Sequence, residues 1–377
     1  MFALLSLLAL LGWVYLALFH GRFWLPVLPA SAPEPARWPS VDIIVPARDE
    51  AAALPHSLPS LLTQEYAGAW RVIVVNDHST DGTGDIARAV AADLEKTDRL
   101  SVIDAPDLPK GWSGKVAAMH AGVAHSTADF ILFTDADIAH GPQSLLHLVA
   151  RAEDAKIDLT SRMVRLNCES FAEKLLIPAF VFFFAMLYPF RRAADPHSRV
   201  AAAAGGTMLM RRTMLNTIGG LGAIKSALID DCGLAHAVKR MGGSIELTLT
   251  NEIDSLRPYP HIRDVWQMVA RTAYTQLRHS PLWLAGTLAG MALLYVAPIA
   301  AFLTANTPDA IGMGLITWLL MGCLYYPTVK FYRLSPAWAL TLPLSAVIYA
   351  LATFDSARLY HLGKGGQWKG RAQAQGQ

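Results

Sequence analysis

The sequence predicts an α/β protein, with a doubly wound, mostly parallel sheet and apolar helices towards both ends of the chain. Three observations carry this. Short apolar runs at 41–45, 72–75, 101–104 and 130–134 alternate with stretches of helical spacing, the pattern of parallel strands covered by helices. Acids follow several of these runs directly, at the strand ends where open α/β sheets bind ligands. Residues 2–19, 282–305, 310–326 and 336–354 carry no charge. They help give 377 residues that are 53% hydrophobic and only 16% charged, with a mean hydropathy of +0.31. Part of the chain therefore belongs in lipid.

Taken in order, residues 2–19 have the length of a membrane span. A signal peptide is the competing reading, since Ala30-Ser31-Ala32 resembles a cleavage site. The missing basic start, and Pro33 after the supposed cut, favour an uncleaved anchor over 1–21. Arg22, just past the anchor, places the next domain in the cytoplasm. Residues 22–39 read as a Pro-rich linker into a soluble domain spanning 40–280. A first strand at 41–45 ends at Pro46, and Ala47-Arg48-Asp49-Glu50 opens a helix with its acids at the positive end. The strand at 72–75 runs into Asn76-Asp77-His78-Ser79-Thr80-Asp81-Gly82-Thr83, where Ser79, Thr80 and Asp81 are natural caps for a helix over 86–94. A third strand spans 101–104, a helix 115–125 and a fourth strand 130–134. A helix over 145–152 and a strand over 158–163 follow. Gly205-Gly206 feeds a strand at 207–210. Asp230-Asp231 opens a helix that runs to Arg240 and is closed by Gly242-Gly243.

Residues 171–190 are rich in Phe and Leu yet hold Glu173, Lys174, Pro178 and Pro189, so they read as an interfacial or pocket-lining helix. An amphipathic helix is expected over 265–277. Three candidate membrane segments fill 281–357, before a basic polar tail over 358–377 with Lys364, Lys369 and Arg371. Lys330 and Arg333 put the loop between the last two segments inside. One anchor and three full spans would then put the basic tail outside. A re-entrant last segment or a different count would remove the conflict, and the sequence leaves both open.

The chemistry gathers on acids. Asp135-Ala136-Asp137 follows the strand at 130–134, so both carboxylates can face one crevice. Two carboxylates suit Mg²⁺, which completes its shell with water and substrate phosphate. Two solvated acids at a turn would look the same. Asp77, after the second strand, can accept hydrogen bonds from a nucleobase or ribose. Gly111-Trp112-Ser113-Gly114-Lys115 has the wrong spacing for a Walker loop, but offers backbone amides and one cation to a diphosphate. Asp230 and Asp231 exceed what a helix start needs, and their repulsion can hold one of them up as a base. His78, His236 and Cys232 read as structural. Cys168, Cys232 and Cys323 form no disulfide framework or metal spacing, which fits a reducing compartment. The net charge of +2 gives no reason to invoke nucleic acid. The dinucleotide, zincin and serine hydrolase motifs do not occur.

In this order the motifs resemble family-2 glycosyltransferases. The resemblance runs from Val45-Pro46-Ala47-Arg48-Asp49-Glu50 through Val75-Asn76-Asp77-His78-Ser79-Thr80-Asp81, Gly114-Lys115 and Asp135-Ala136-Asp137 to Asp230-Asp231. The N-terminal anchor, the three-segment tail, 109–115 and 271–281 look like the hopanoid-biosynthesis-associated branch, which is similar to ceramide glucosyltransferases. The resemblance implies the nucleotide-diphospho-sugar transferase (GT-A) fold. It implies that Asp77 contacts the base, that Asp135 meets the ribose or a metal, and that Asp137 holds Mg²⁺ or Mn²⁺. Pro46, Ala47, Arg48, Glu50, Asn76, Lys115 and Arg271 would complete the donor site. Asp231, beside Asp230, would deprotonate the acceptor. The implied reaction is inverting transfer of one sugar from a nucleotide-diphospho-sugar, UDP-linked, to a lipid hydroxyl in hopanoid or glycolipid biosynthesis. It would take place at the cytoplasmic face of a bacterial inner membrane. The partners would be the donor, a lipid acceptor and the membrane. A processive polysaccharide synthase and an inactive transferase-like scaffold are the rival readings. Against the first, Met268 and Thr272 stand where the family's Gln-x-x-Arg-Trp signature has Gln and Trp, with only Arg271 matching. Asn76 and His78 also depart from the family's usual Asp and Gly.

Overall fold

A computed structural model describes residues 2–363 and the backbone of two short strands, Gln367–Trp368 and Arg371–Ala372. The basic tail expected at Lys364, Lys369 and the Arg371 side chain lies outside the described residues. The chain forms two compact units. One gathers the chain up to Pro26, Cys168–Arg191 and the described residues from Pro258 to Gly363, and the other gathers Val27–Asn167, Arg192–Arg257 and the two short strands after them.

The second unit carries an eight-stranded mixed sheet. Its strands are β1 (Val41–Ala47), β2 (Trp70–Asn76), β3 (Leu100–Asp104), β4 (Phe130–Thr134), β5 (Ile138–His140), β6 (Leu159–Arg165), β7 (Thr207–Arg211) and β8 (Ile245–Ser255), in the spatial order β3-β2-β1-β4-β7-β6-β8-β5. β3, β2, β1 and β4 run parallel, whereas β7 pairs antiparallel with both β4 and β6. The doubly wound expectation therefore holds, with an antiparallel strand in its middle. β1 and β4 are buried along their whole length because each face carries its own core. Ile43, Val45, Val72, Val74 and Leu132 meet Leu58 and Leu148 on one face. Ile44, Ile73, Val75, Ile131 and Phe133 meet Val116, Met119 and Leu234 on the other. This is the period-two alternation of a strand with both faces covered.

Several local expectations change. β1 continues through Pro46 to Ala47, and the next helix begins only at Leu54 (Leu54–Leu62). Residues 47–51 instead zip onto the loop after β2. Asp49 N–H donates to Ser79 Oγ (3.0 Å), Glu50 N–H to Thr83 Oγ1 (2.9 Å) and Ala51 N–H to Asp81 Oδ2 (2.9 Å), while Thr80 N–H donates back to Asp49 Oδ1 (2.8 Å). Ser79 and Thr80 are thus cross-loop ties, and the cap of Thr83–Asp93 is Gly82. The amphipathic helix expected over 265–277 is Ile262–Ala270 followed by a single turn, Ala273–Gln276. β5 and the long β8 carried no expectation. β8 shows alternation at Ile245, Leu247 and Leu249 that breaks at Asn251-Glu252.

In the first unit, Phe2–Phe19, Pro281–Thr304, Pro308–Phe331 and Pro336–His361 are long and apolar enough to cross a membrane. Pro298 has no N–H to give Leu294 O, its partner in a regular helix. The turn Ala292–Val296 widens there, and Trp13 Nε1 donates to Leu294 O at 3.0 Å. Phe171–Leu187 packs against Pro308–Phe331 and Pro336–His361. Its odd acid is a cap: buried Glu173 accepts from Ser170 N–H (2.8 Å) and Tyr259 N–H (2.6 Å), while Ser170 Oγ accepts from Glu173 N–H (3.1 Å).

Candidate active site at the carboxyl ends of the strands

Parallel strands present their carboxyl ends on one edge of the sheet, where β1, β2 and β4 deliver Arg48, Asp77 and Asp135. Asp77 is buried, takes an N–H bond to Ala47 O (2.8 Å) and lies under Arg48. That guanidinium donates to Asp77 O (2.7 Å) and stands 3.6 Å from Asp77 Oδ2. Pro46 and Ala47 contribute backbone to β1, paired with Val75 and Asn76. The Asn76 amide is committed within the protein: Nδ2 donates to Asp104 Oδ1 (2.8 Å) and Oδ1 accepts from Ser79 N–H (3.2 Å).

The densest charge lies around Lys115, in the first turn of Gly114–Ala124. Its Nζ sits 2.7 Å from Asp135 Oδ1 and 3.3 Å from Asp230 Oδ2. Burial would lower the ammonium's pKa, but Asp135 and Asp230 outweigh it and hold the lysine charged far into the alkaline range. Asp135 is held up by burial and by Asp137, against the pull of Lys115. Asp231 lies at the start of Asp230–Arg240. Its Oδ2 accepts from Gly205 N–H (2.8 Å) and its Oδ1 from Cys232 N–H (2.6 Å). Burial and the neighbouring Asp230 carboxylate push Asp231 up to about 6. Asp137, two residues beyond Asp135, faces Arg257 Nε at 3.9 Å.

Asp135, Asp230, Asp231 and Lys115 therefore meet, from three distant parts of the chain. Arg271 is exposed after Ile262–Ala270 and belongs to the other unit. Sequence reasoning missed three contributors. Gly205 holds Asp231 through its backbone. Arg257 balances Asp137. His140 on β5 braces the Asp135–Asp137 turn from beneath, with Nε2 3.0 Å from Thr134 Oγ1 and Nδ1 3.1 Å from Ser144 Oγ; burial pushes it down to about 3, so it is neutral. Only Gly205-Gly206 left a trace in the sequence, and it read as a loop feeding the strand at 207–210. Among the described residues, no group of three or more His, Cys, Asp and Glu is arranged to hold a metal by itself. The Asp135 and Asp137 oxygens suit a hard cation whose remaining ligands come from phosphate and water.

Residues 42–219 match the family model described as Glycosyl transferase family 2. These residues are a family 2 glycosyl transferase domain. It contains Asp77, Lys115, Asp135, Asp137 and Gly205, while Asp230 and Asp231 follow it. Over 100 residues the chain is 39% identical to 4,4'-diaponeurosporenoate glycosyltransferase of Staphylococcus aureus strain bovine RF122 / ET3-1, and 38% identical to that of strain USA300. Each match covers 26% of this chain and spans only 24% of the relative's length. A solved structure of a Pyrobaculum calidifontis mannosyltransferase, in complex with GDP-Man and Mn²⁺, superposes with a TM-score of 0.57 at 19% identity, covering 92% of this chain and 99% of that one. The likeness is one of fold, and the glycosyl transferase domain has the GT-A type of mixed α/β sheet.

Proposed function

We propose that this protein transfers a single sugar from a nucleotide-diphospho-sugar to the hydroxyl of a lipid, with inversion at the anomeric carbon. The observation that carries the reading is the meeting of Asp135, Lys115, Asp230 and Asp231 at the carboxyl ends of the strands. Asp77 and Arg48 form the floor on which the nucleoside rests, and Asp135 and Asp137 would hold a divalent cation, Mg²⁺ or Mn²⁺. When bound, that ion neutralises charge on the departing diphosphate. Lys115 supplies a second positive charge to the same group. Asp231 is poised as the base, because its carboxyl is pushed up to about 6 and it is ionised at neutral pH. It takes the acceptor proton as the acceptor oxygen bonds to the anomeric carbon and the bond from that carbon to the diphosphate oxygen breaks.

Four apolar helices among the described residues support residence in a membrane, where lipid hydroxyls are the available acceptors. The flanking Arg22 and the Lys330–Arg333 loop support a cytoplasmic catalytic domain on a bacterial inner membrane. A UDP-linked donor and a hopanoid or related glycolipid product are the narrowest form of the reading. The Staphylococcus relatives, named for diaponeurosporenoate, support an apolar acceptor. Mass spectrometry of total lipids from cells with the active chain and with Asp137→Asn tests it. One new lipid species carrying a single hexose-type increment, absent with the variant, is the expected result. A polymeric product, or no difference between the two, overturns it.

A further inference from the structure

The Lys115 ammonium lies against Asp135, one of the two carboxylates proposed above to hold a divalent cation. It lies 2.7 Å from Asp135 Oδ1 and bridges at 3.3 Å to Asp230 Oδ2, joining the proposed metal turn to the proposed base. Its side chain is 16% exposed, so bulk water does little to screen that charge. Around it stand Asp135, Asp230 and Asp231, with Asp137 on the same turn as Asp135 and Arg257 3.9 Å from Asp137. Gly205 closes the space on another side. A Cβ there would lie 3.4 Å from both Lys115 Nζ and Asp231 Oδ2. The Lys115 head already takes up one oxygen of the Asp135 carboxylate. A divalent cation on the same carboxylate would be repelled by the ammonium, which weakens its binding there.

We infer that Lys115 is a resident cation that keeps Asp135 closed to metal until the donor diphosphate arrives and draws the lysine away. The diphosphate offers Lys115 a more highly charged partner than Asp135, and the vacated carboxylate oxygen would then be open to a divalent cation. Metal and donor would thus enter together, and Lys115 would be a positioning residue for both. Departure of the lysine also removes the cation that holds Asp230 towards Asp135, leaving Asp230 free beside the base.

This inference rests on the transferase reading above, and the test separates the two. Full-length protein in detergent is titrated calorimetrically with Mn²⁺ alone, and with UDP and GDP each in the presence of Mn²⁺, for wild type, Lys115→Met and Lys115→Arg. The expected result is opposite signs in one variant. Lys115→Met binds Mn²⁺ alone about tenfold or more tightly than wild type, yet binds the nucleotide diphosphate with Mn²⁺ about tenfold or more weakly. Lys115→Arg keeps the charge and stays within a few-fold of wild type for Mn²⁺ alone. A lysine that only supports the fold would weaken both affinities in Lys115→Met, and that outcome overturns the inference. So does Mn²⁺ binding alone that is unchanged by the substitution. Wild type that binds neither UDP nor GDP with Mn²⁺ sinks the transferase reading instead, while the Mn²⁺-alone comparison still decides the role of the lysine.

Discussion

Asp231 is held between opposing influences. Burial and Asp230 raise its pKa, while Lys115 and two backbone N–H donors lower it, and the balance lies at about 6. Since the ionised form is the base, transfer is lost as pH falls through that value and reaches its plateau above it. Steady-state kcat/KM against pH should show an acid limb near pH 6, falling about tenfold per pH unit below it. Lys115→Met removes a stabilising cation, so its limb should move to higher pH. Asp231→Asn should abolish turnover while nucleotide binding by calorimetry stays within a few-fold of wild type. Measurable turnover in that variant would remove Asp231 from the chemistry. Asp137→Asn should lose both turnover and the metal dependence of nucleotide binding. Asp77 is the residue whose type was easiest to read in the sequence and whose surroundings were hardest: the Arg48 guanidinium over it comes from a different strand end.

At the scale of elements, the approach of β7 to β6 places Gly205 for its bond to Asp231. The next residue, Gly206, packs so tightly that a Cβ there would meet Val164 Cγ1 at 2.9 Å. Val164 is β-branched and cannot swing away cheaply. Gly206→Ala should therefore destabilise the protein by about 1–3 kcal/mol, read as a lower melting temperature in detergent. Adding Val164→Ala should recover part of the loss; a double variant less stable than the sum of the two singles would refute the steric account. The helix Pro281–Thr304 poses a complementary case, because the acceptor left by Pro298 is satisfied by Trp13. Trp13→Phe keeps an aromatic ring but strands Leu294 O. It should cost about 1–3 kcal/mol, whereas Trp318→Phe, which also loses an indole bond to a carbonyl, is more exposed and should cost less. Glu173 shows the same logic in the opposite direction: an acid that argues against burial on composition is buried because three backbone donors surround it.

At the scale of the whole molecule, the chain passes between the two units several times, so its helical unit is assembled from the start, middle and end of the sequence. Among the described residues, four helices have the length and hydropathy of spans. The protein is expected to stay in the membrane pellet after an alkaline carbonate wash and to leave it only with detergent. Release by the wash would contradict a spanning arrangement.

The strand–helix alternation, the acids at strand ends and the apolar segments were legible in the sequence because each is local. A buried strand must be apolar over four or five residues, a carboxylate follows its own strand, and a span must be long and uncharged. What only the tertiary structure decided is who meets whom. β7 inserts antiparallel between β4 and β6, β8 pairs beyond them, and Gly205, Arg257 and Lys115 reach acids that are far away in the chain. Those meetings depend on register and packing between distant segments, and no spacing within a single stretch of residues encodes them.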